Sequence, residues 1–322
     1  MSFTFRPAVR ENVGLILGVI GASGSGKTYS GMRLAKGMAG EKRFAVIDTE
    51  NGRAKHYADQ FAFDHGDLRA PFSPERYEEA ILAADAAGYP VIVVDSFSHE
   101  HAGDGGILDM HDAELTRMAG DDWKKRESCK MAAWIRPKSS HKRMVSKLLQ
   151  IRAHLILAFR AEEKIEMVKD SSGKLVIQPK RSLTGLSGWI PICEKTLPYE
   201  LTASFLLTPD RPGIPQPIKL QEQHRANVSL DKPLDERVGE QLASWARGGT
   251  VKPAAPPTPA RDLKEFAETK ARDGMPALET WWAAATQKQR LSLKEYLPML
   301  KTIAESADQA RNDWDSTKEE AP

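Results

Sequence analysis

Hydrophobic residues in the first 246 positions gather into short continuous runs separated by stretches with helical spacing. Val13–Ile20, Arg43–Thr49, Val91–Asp95 and His154–Arg160 are such runs. Each is too short for a stable helix and is bounded by glycine or polar residues, so each predicts a buried strand. Thr28–Met38 carries apolar residues at helical spacing. A second helix is predicted from Ser73, with Pro74 in its first turn and Glu75 following, to about Ala87, where Gly88-Tyr-Pro ends it. Strands alternating with helices imply right-handed crossovers and a mostly parallel central sheet, the α/β class. Past Arg160 the pattern changes. Lys164–Val168 and Lys174–Gln178 flank Asp170-Ser-Ser-Gly173 and predict a hairpin. Leu197–Leu207 and Ile218–Leu220 are further strand candidates.

Gly, Pro and Ala dominate residues 247–260, which predicts an extended, semi-rigid linker. The chain then divides into residues 1–246, the linker, and a helical segment over 261–322 with an acidic tail. Gly274-Met-Pro276 breaks that segment, and Leu278, Trp281, Trp282, Leu293, Leu297 and Leu300 give it apolar surface for a small bundle or a docking hairpin. Its ten basic and twelve acidic side chains give −2, which leaves +4 on the rest of a chain with net charge +2. That excludes a wholly basic, histone-like binder but allows a local basic patch. Two cysteines, Cys129 and Cys193, exclude a disulfide-stapled scaffold and multi-cysteine metal sites. No apolar run is long enough to span a bilayer, and Met1 to Arg10 has no secretory h-region, so the expected location is the cytoplasm without membrane attachment.

Gly21-Ala22-Ser23-Gly24-Ser25-Gly26-Lys27-Thr28 fits G-x-x-x-x-G-K-[ST] throughout, between a predicted strand and a predicted helix. Glycines let the backbone turn its N–H groups toward an anion, and the helix presents its positive end. Lys27 then reaches the β- and γ-phosphates, and the Thr28 hydroxyl ligates Mg²⁺. Asp95 ends an apolar strand at the sheet edge where ligands of open α/β sheets bind, and is the candidate to hold Mg²⁺ through water. Glu50 ends the strand after the phosphate-loop helix and is the candidate base for the attacking water, with Glu100 as its competitor. Arg160, at a strand end, is placed to sense the γ-phosphate. Lys180 and Arg181, after the hairpin, are candidates to reach a neighbouring subunit's nucleotide, or are ordinary surface cations. No guanine-reading Asn/Thr-Lys-x-Asp motif follows, so ATP with Mg²⁺ is the expected ligand pair.

Ten Lys/Arg face one acid, Glu127, between residues 124 and 152: Lys124, Lys125, Arg126, Lys130, Arg136, Lys138, Lys142, Arg143, Lys147 and Arg152. Trp123 and Trp134 are interleaved. Cations for phosphates and aromatics for bases are the ingredients of single-strand binding, and a long helix with a solvated basic face and buried tryptophans is the alternative. Ser96–Gly106 reads as a polar, glycine-rich loop that responds to nucleotide. Its His99 and His101 lack a third metal ligand at an ordered spacing.

In order, GASGSGKT, VIDTENG, VIVVDSFSHE and LILAFRAEEK resemble the phage-encoded RecA-like P-loop ATPases, of the kind that act in single-strand annealing and recombination. The resemblance covers about residues 10–246. It implies a RecA-like fold and ATP hydrolysis on single-stranded DNA. It also implies phosphate and Mg²⁺ binding by Lys27 and Thr28, a catalytic Glu50, a metal-side Asp95 and a sensor Arg160. A homo-oligomer such as a ring is the expected assembly, and the C-terminal helices are candidates to bind a single-strand-binding or annealing protein. The same core also serves helicases, helicase loaders and packaging ATPases, nucleotide-gated binding proteins with little hydrolysis and, less readily, small-molecule kinases.

Overall fold

The computed structural model describes residues 10–169, 173–179, 188–248 and 261–319, together with Phe5, Ala8 and Ser171. Two compact units result, Met1–Thr250 and Val251–Pro322. The first is built on β1 (Ile16–Gly21), β2 (Phe44–Asp48), β3 (Phe63–Asp67), β4 (Val91–Asp95) and β5 (His154–Glu163). It continues through β6 (Ile165–Lys169), β7 (Leu175–Pro179), β8 (Trp189–Pro191), β9 (Ala203–Thr208) and β10 (Arg211–Lys219). The main sheet runs β10-β9-β1-β5-β4-β2-β3, with β8 paired to the end of β5. Strands β9 through β3 are parallel, and β10 is antiparallel to β9.

Both faces of the sheet are covered, which explains why its central strands are apolar throughout rather than alternating. One face packs α1 (Lys27–Ala39), whose Met32, Leu34, Ala35 and Met38 point inward. The other packs α2 (Pro74–Ala86) and, further along the chain, the helix Ile135–Leu148, through Tyr77, Ile81, Met144 and Leu148. Between α2 and that helix lie α3 (Ser98–Ala102), α4 (Ile107–Ala119) and α5 (Trp123–Cys129), which makes Ile135–Leu148 α6. Two single turns, α7 (Leu197–Glu200) and α8 (Glu222–Arg225), precede α9 (Glu236–Arg247).

Helix α9 lies against α1 at very short range. A Cβ at Gly37 would overlap the Glu236 carbonyl, and one at Gly239 would overlap the Leu34 carbonyl. Arg33 adds an ion pair to Glu236 at 2.7 Å. The N–H of Val13 donates to the Ala246 carbonyl, so the first predicted strand starts only at Ile16.

Two further expectations need correction. Leu197–Leu207 is not one strand: Pro198 sits in the first turn of α7, and β9 starts at Ala203. Pro lacks the N–H that a strand ladder needs, and its fixed φ suits a helical first turn. Ser96–Gly106 is not a loose loop, since α3 forms within it and buries Ser98 and Glu100.

The predicted hairpin is β6 against β7, with Met167 opposite Ile177. Lys180 and Arg181 lie outside the described residues, as does 249–260, most of the predicted linker. The second unit comprises α10 (Arg261–Arg272), α11 (Met275–Ala284), α12 (Gln287–Leu293) and α13 (Leu297–Glu319). Ala267, Ala271, Leu278, Leu293, Leu300 and Ala304 form its core. Among the described residues, no helix is long and apolar enough to cross a membrane.

Candidate nucleotide site and basic surface

The phosphate loop leaves β1 at Gly21 and enters α1 at Lys27. Gly24 (φ 77°) and Gly26 (φ 83°) take left-handed backbone that L side chains resist. Nothing lies within 4 Å of where a Cβ on Gly24 would stand, so the tip of the loop is open. Behind it, the N–H of Gly213 on β10 donates to the Ser25 carbonyl at 3.0 Å. Gly213 is a part of the cradle that the sequence reading missed. Its only signal was a glycine between two prolines in an edge strand.

Lys27 Nζ donates to the Ala22 carbonyl at 2.7 Å. Burial lowers its pKa, and the charges of Asp95 and Glu50 oppose that shift, while Arg160 and Arg53 reinforce it. The Thr28 hydroxyl donates to Asp95 Oδ2 at 2.5 Å. Burial pushes the Asp95 carboxyl up to about 6, against the Thr28 hydrogen bond. A hydroxyl and a carboxylate in contact, in a buried corner beside an open anion-binding loop, are the hard oxygen ligands that Mg²⁺ takes. These residues therefore fit Mg²⁺ with a nucleotide phosphate.

Strand β5 separates β1 from β4, and its register sets Arg160 beside Gly21. The Arg160 guanidinium reaches across to Glu50 Oε1, at 3.1 Å from Nε and 2.6 Å from an Nη. Glu50 Oε2 accepts from Arg53 at 2.8 Å. Burial pushes the Glu50 carboxyl up, but the Arg160 hydrogen bond and the charges of Arg160 and Arg53 outweigh it, leaving the pKa below the ordinary glutamate value.

Asp48, buried at the end of β2, shapes this corner. Its Oδ1 accepts from the Glu50 N–H at 2.6 Å, and its Oδ2 accepts from the Ala54 N–H at 2.8 Å. The chain turns between them through Asn51 (φ 57°) and Gly52 (φ 79°). The neighbouring Thr49 hydroxyl accepts from the Ser96 N–H and lies 2.8 Å from His99 Nδ1. The sequence reading found neither tie, because both depend on strands brought together by the sheet.

Glu100 does not join this site. It is fully buried on α3 and bonds His141 of α6, Oε1 to Nδ1 at 2.8 Å. Its shift is upward, from burial first, with His141 opposing. Glu50 shares a corner with Lys27 and Arg160, whereas Glu100 faces the helix layer. Among the described residues, no three His, Cys, Asp or Glu side chains, those of His99 and His101 included, are grouped so as to hold a metal ion by themselves.

The basic segment is not one long helix. It folds as α5, a single turn at Ala132–Trp134, and α6. Asp122 caps α5 by accepting from the N–H groups of Lys124 and Lys125. Arg126 pairs with Asp112, Lys130 with Glu127, Arg136 with Glu114, Lys138 with Glu194 and Arg143 with Glu75. Among the described residues, the Lys124, Lys125 and Lys142 ammonium groups make no ion pair. Trp123 is 72% exposed and so does not fit the alternative of buried tryptophans. Trp134 is half-buried and stacks on His111 at 4.0 Å.

A parallel sheet, a glycine loop closed by Lys27-Thr28 and an acidic strand end beyond one intervening strand define a P-loop nucleotide-binding protein. The chain belongs to the AAA domain family, whose profile matches residues 14–190. None of the curated proteins matches it. Among solved structures, it is similar to a KaiC-like protein of the hyperthermophilic archaeon Pyrococcus horikoshii OT3. That match has 13% identity and a TM-score of 0.31, over 61% of this chain and 72% of the other.

Proposed function

We propose that this protein is a Mg²⁺-dependent ATP hydrolase that acts on single-stranded DNA, in recombination or strand annealing. The observation that carries the hydrolase reading is the convergence of four side chains from distant parts of the chain on one sheet edge. Lys27 lies in a charge field set by Asp95, Glu50 and Arg160. Thr28 and Asp95 would hold Mg²⁺, which would neutralise charge on the phosphates. Glu50 takes a proton from the water that attacks the γ-phosphorus, as the bond to the ADP leaving group breaks. Lys27 and Arg160 offset the negative charge that spreads over the phosphate oxygens.

The DNA reading rests on the surface of α5 and α6. An exposed Trp123 next to Lys124 and Lys125 in α5 offers a stacking face and unpaired cations, and Lys142 on α6 is a further unpaired cation. Steady-state ATP hydrolysis with and without single-stranded DNA, at two salt concentrations, tests both readings. The expected result is a DNA-stimulated, salt-sensitive rate that disappears in Lys27→Ala. A rate indifferent to DNA, with no DNA binding at low salt, would remove the DNA reading and leave a nucleotide hydrolase.

A further inference from the structure

Glu50 is held by two guanidinium groups, one on each carboxylate oxygen. A single cation would neutralise a carboxylate, so one of the pair is surplus in charge. The two arginines differ in where they stand. Arg160 belongs to a sheet strand and is in register with Gly21, the first residue of the phosphate loop. Arg53 belongs to a short turn on the far side of Glu50, whose backbone Asp48 fixes at both ends. An incoming γ-phosphate is a stronger competitor for a guanidinium than a lone carboxylate, and Arg160 is the group beside it.

We infer that Arg53 is a positioning residue: it keeps the Glu50 carboxylate aimed at the attacking water when Arg160 turns to the γ-phosphate. This rests on the hydrolase reading above. A general base works only when held within hydrogen-bond reach of its water, and a carboxylate released on one side would swing about its χ angles. The Asn51-Gly52 turn brings Arg53 back onto the residue three positions before it, so the restraint is supplied by the same short segment as the base. Stability is not its role. The Arg53 side chain is 66% exposed, and exposed pairs contribute little to folding. The other charged or titratable groups acting on Glu50 are Lys27, Asp95, His99 and Arg160, none of which touches Oε2.

The test is steady-state ATP kinetics on the full chain, with Arg53→Ala, Arg53→Lys and Glu50→Gln. Arg53→Ala should lower kcat at least about tenfold while KM for ATP stays within about twofold. Arg53→Lys should recover most of kcat. Adding Arg53→Ala to Glu50→Gln should cost nothing further, because there is no base left to aim. An Arg53→Ala enzyme with full kcat, in a protein that Glu50→Gln inactivates, overturns this inference alone. So does an Arg53→Ala enzyme that loses KM and melting temperature together without rescue by lysine. A Glu50→Gln enzyme that hydrolyses at the unmutated rate overturns the role of Glu50, and this inference with it.

Discussion

Arg160 and Glu50 stand 110 positions apart in the chain, and their side chains meet at 2.6 Å. Arg160 lies within β5 and not at a strand end as expected. The contact joins it to Glu50, two residues past the end of β2, across β4. It sets the proton affinity of the candidate base, so its removal has a direction. Without Arg160, burial is opposed only by the charges of Arg53 and His99, so the Glu50 pKa rises. The base must be ionised to work. The acid limb of the kcat–pH profile should therefore move to higher pH in Arg160→Ala, together with a lower plateau. Rates measured from pH 4.5 upward on both proteins check this, and an unmoved acid limb would contradict the role given to the pair.

Glu100 and Glu50 should respond to substitution in opposite ways. Glu100→Ala leaves His141 Nδ1 in the core without its hydrogen-bond partner, and an unsatisfied buried polar group costs about 1–3 kcal/mol. At temperatures where the variant is folded, its kcat should remain within about twofold of the unmutated value. Glu50→Gln should lose hydrolysis and keep its stability. Denaturant unfolding alongside ATPase assays separates the two.

His154 should make the first unit sensitive to mild acid. Burial, helped by the charge of Arg247, lowers its pKa to about 4, and Nδ1 accepts the Leu15 N–H at 3.1 Å. A histidine with a depressed folded pKa contributes stability above its unfolded pKa of about 6.5, and that stability is lost as pH falls toward the folded value. The loss between about pH 6.5 and 4 is on the order of 3 kcal/mol. In His154→Gln the same window should be flatter. Chemical unfolding of both proteins at several pH values gives the difference, from which other titrating groups cancel.

On the basic surface, unpaired and paired cations should behave differently. Replacing Lys124, Lys125 and Lys142 with alanine should lower the salt slope of single-stranded DNA binding by roughly two. Arg126 and Arg143 already answer Asp112 and Glu75, so their replacement should change the slope less. Trp123→Ala should cost about 1–3 kcal/mol if its ring stacks on a base. Fluorescence titrations at graded salt measure all three.

What could be read along the chain was what local chemistry encodes. Val91–Asp95 is a strand over the residues expected of it, and the glycine loop sits between a strand and a helix. What could not be read depends on partners distant in sequence. Strand β3, Phe-Asp-His-Gly-Asp, has no apolar run, and it is a strand because β2 offers it a parallel edge. Glu50 and Glu100 each follow an apolar strand by a few residues, so local sequence treats them alike. Only His141, 41 positions away, shows which of the two is buried in the helix layer. Trp123 looked like a core residue from its type alone, and its exposure follows from α5 packing no residue inward.

The glycine contact between α1 and α9 also bears on how much of the chain is needed to bind nucleotide. Helix α1 carries Lys27 and Thr28 at one end and meets Glu236 and Gly239 further along. Val238, Leu242, Ala243 and Ala246 complete the apolar layer beneath it. A fragment that stopped after β10 would keep every phosphate-loop residue and every strand of the sheet, yet leave the loop's own helix bare along one side. The smallest piece of this protein that grips a phosphate therefore runs through Arg247, well past the last residue that would touch one.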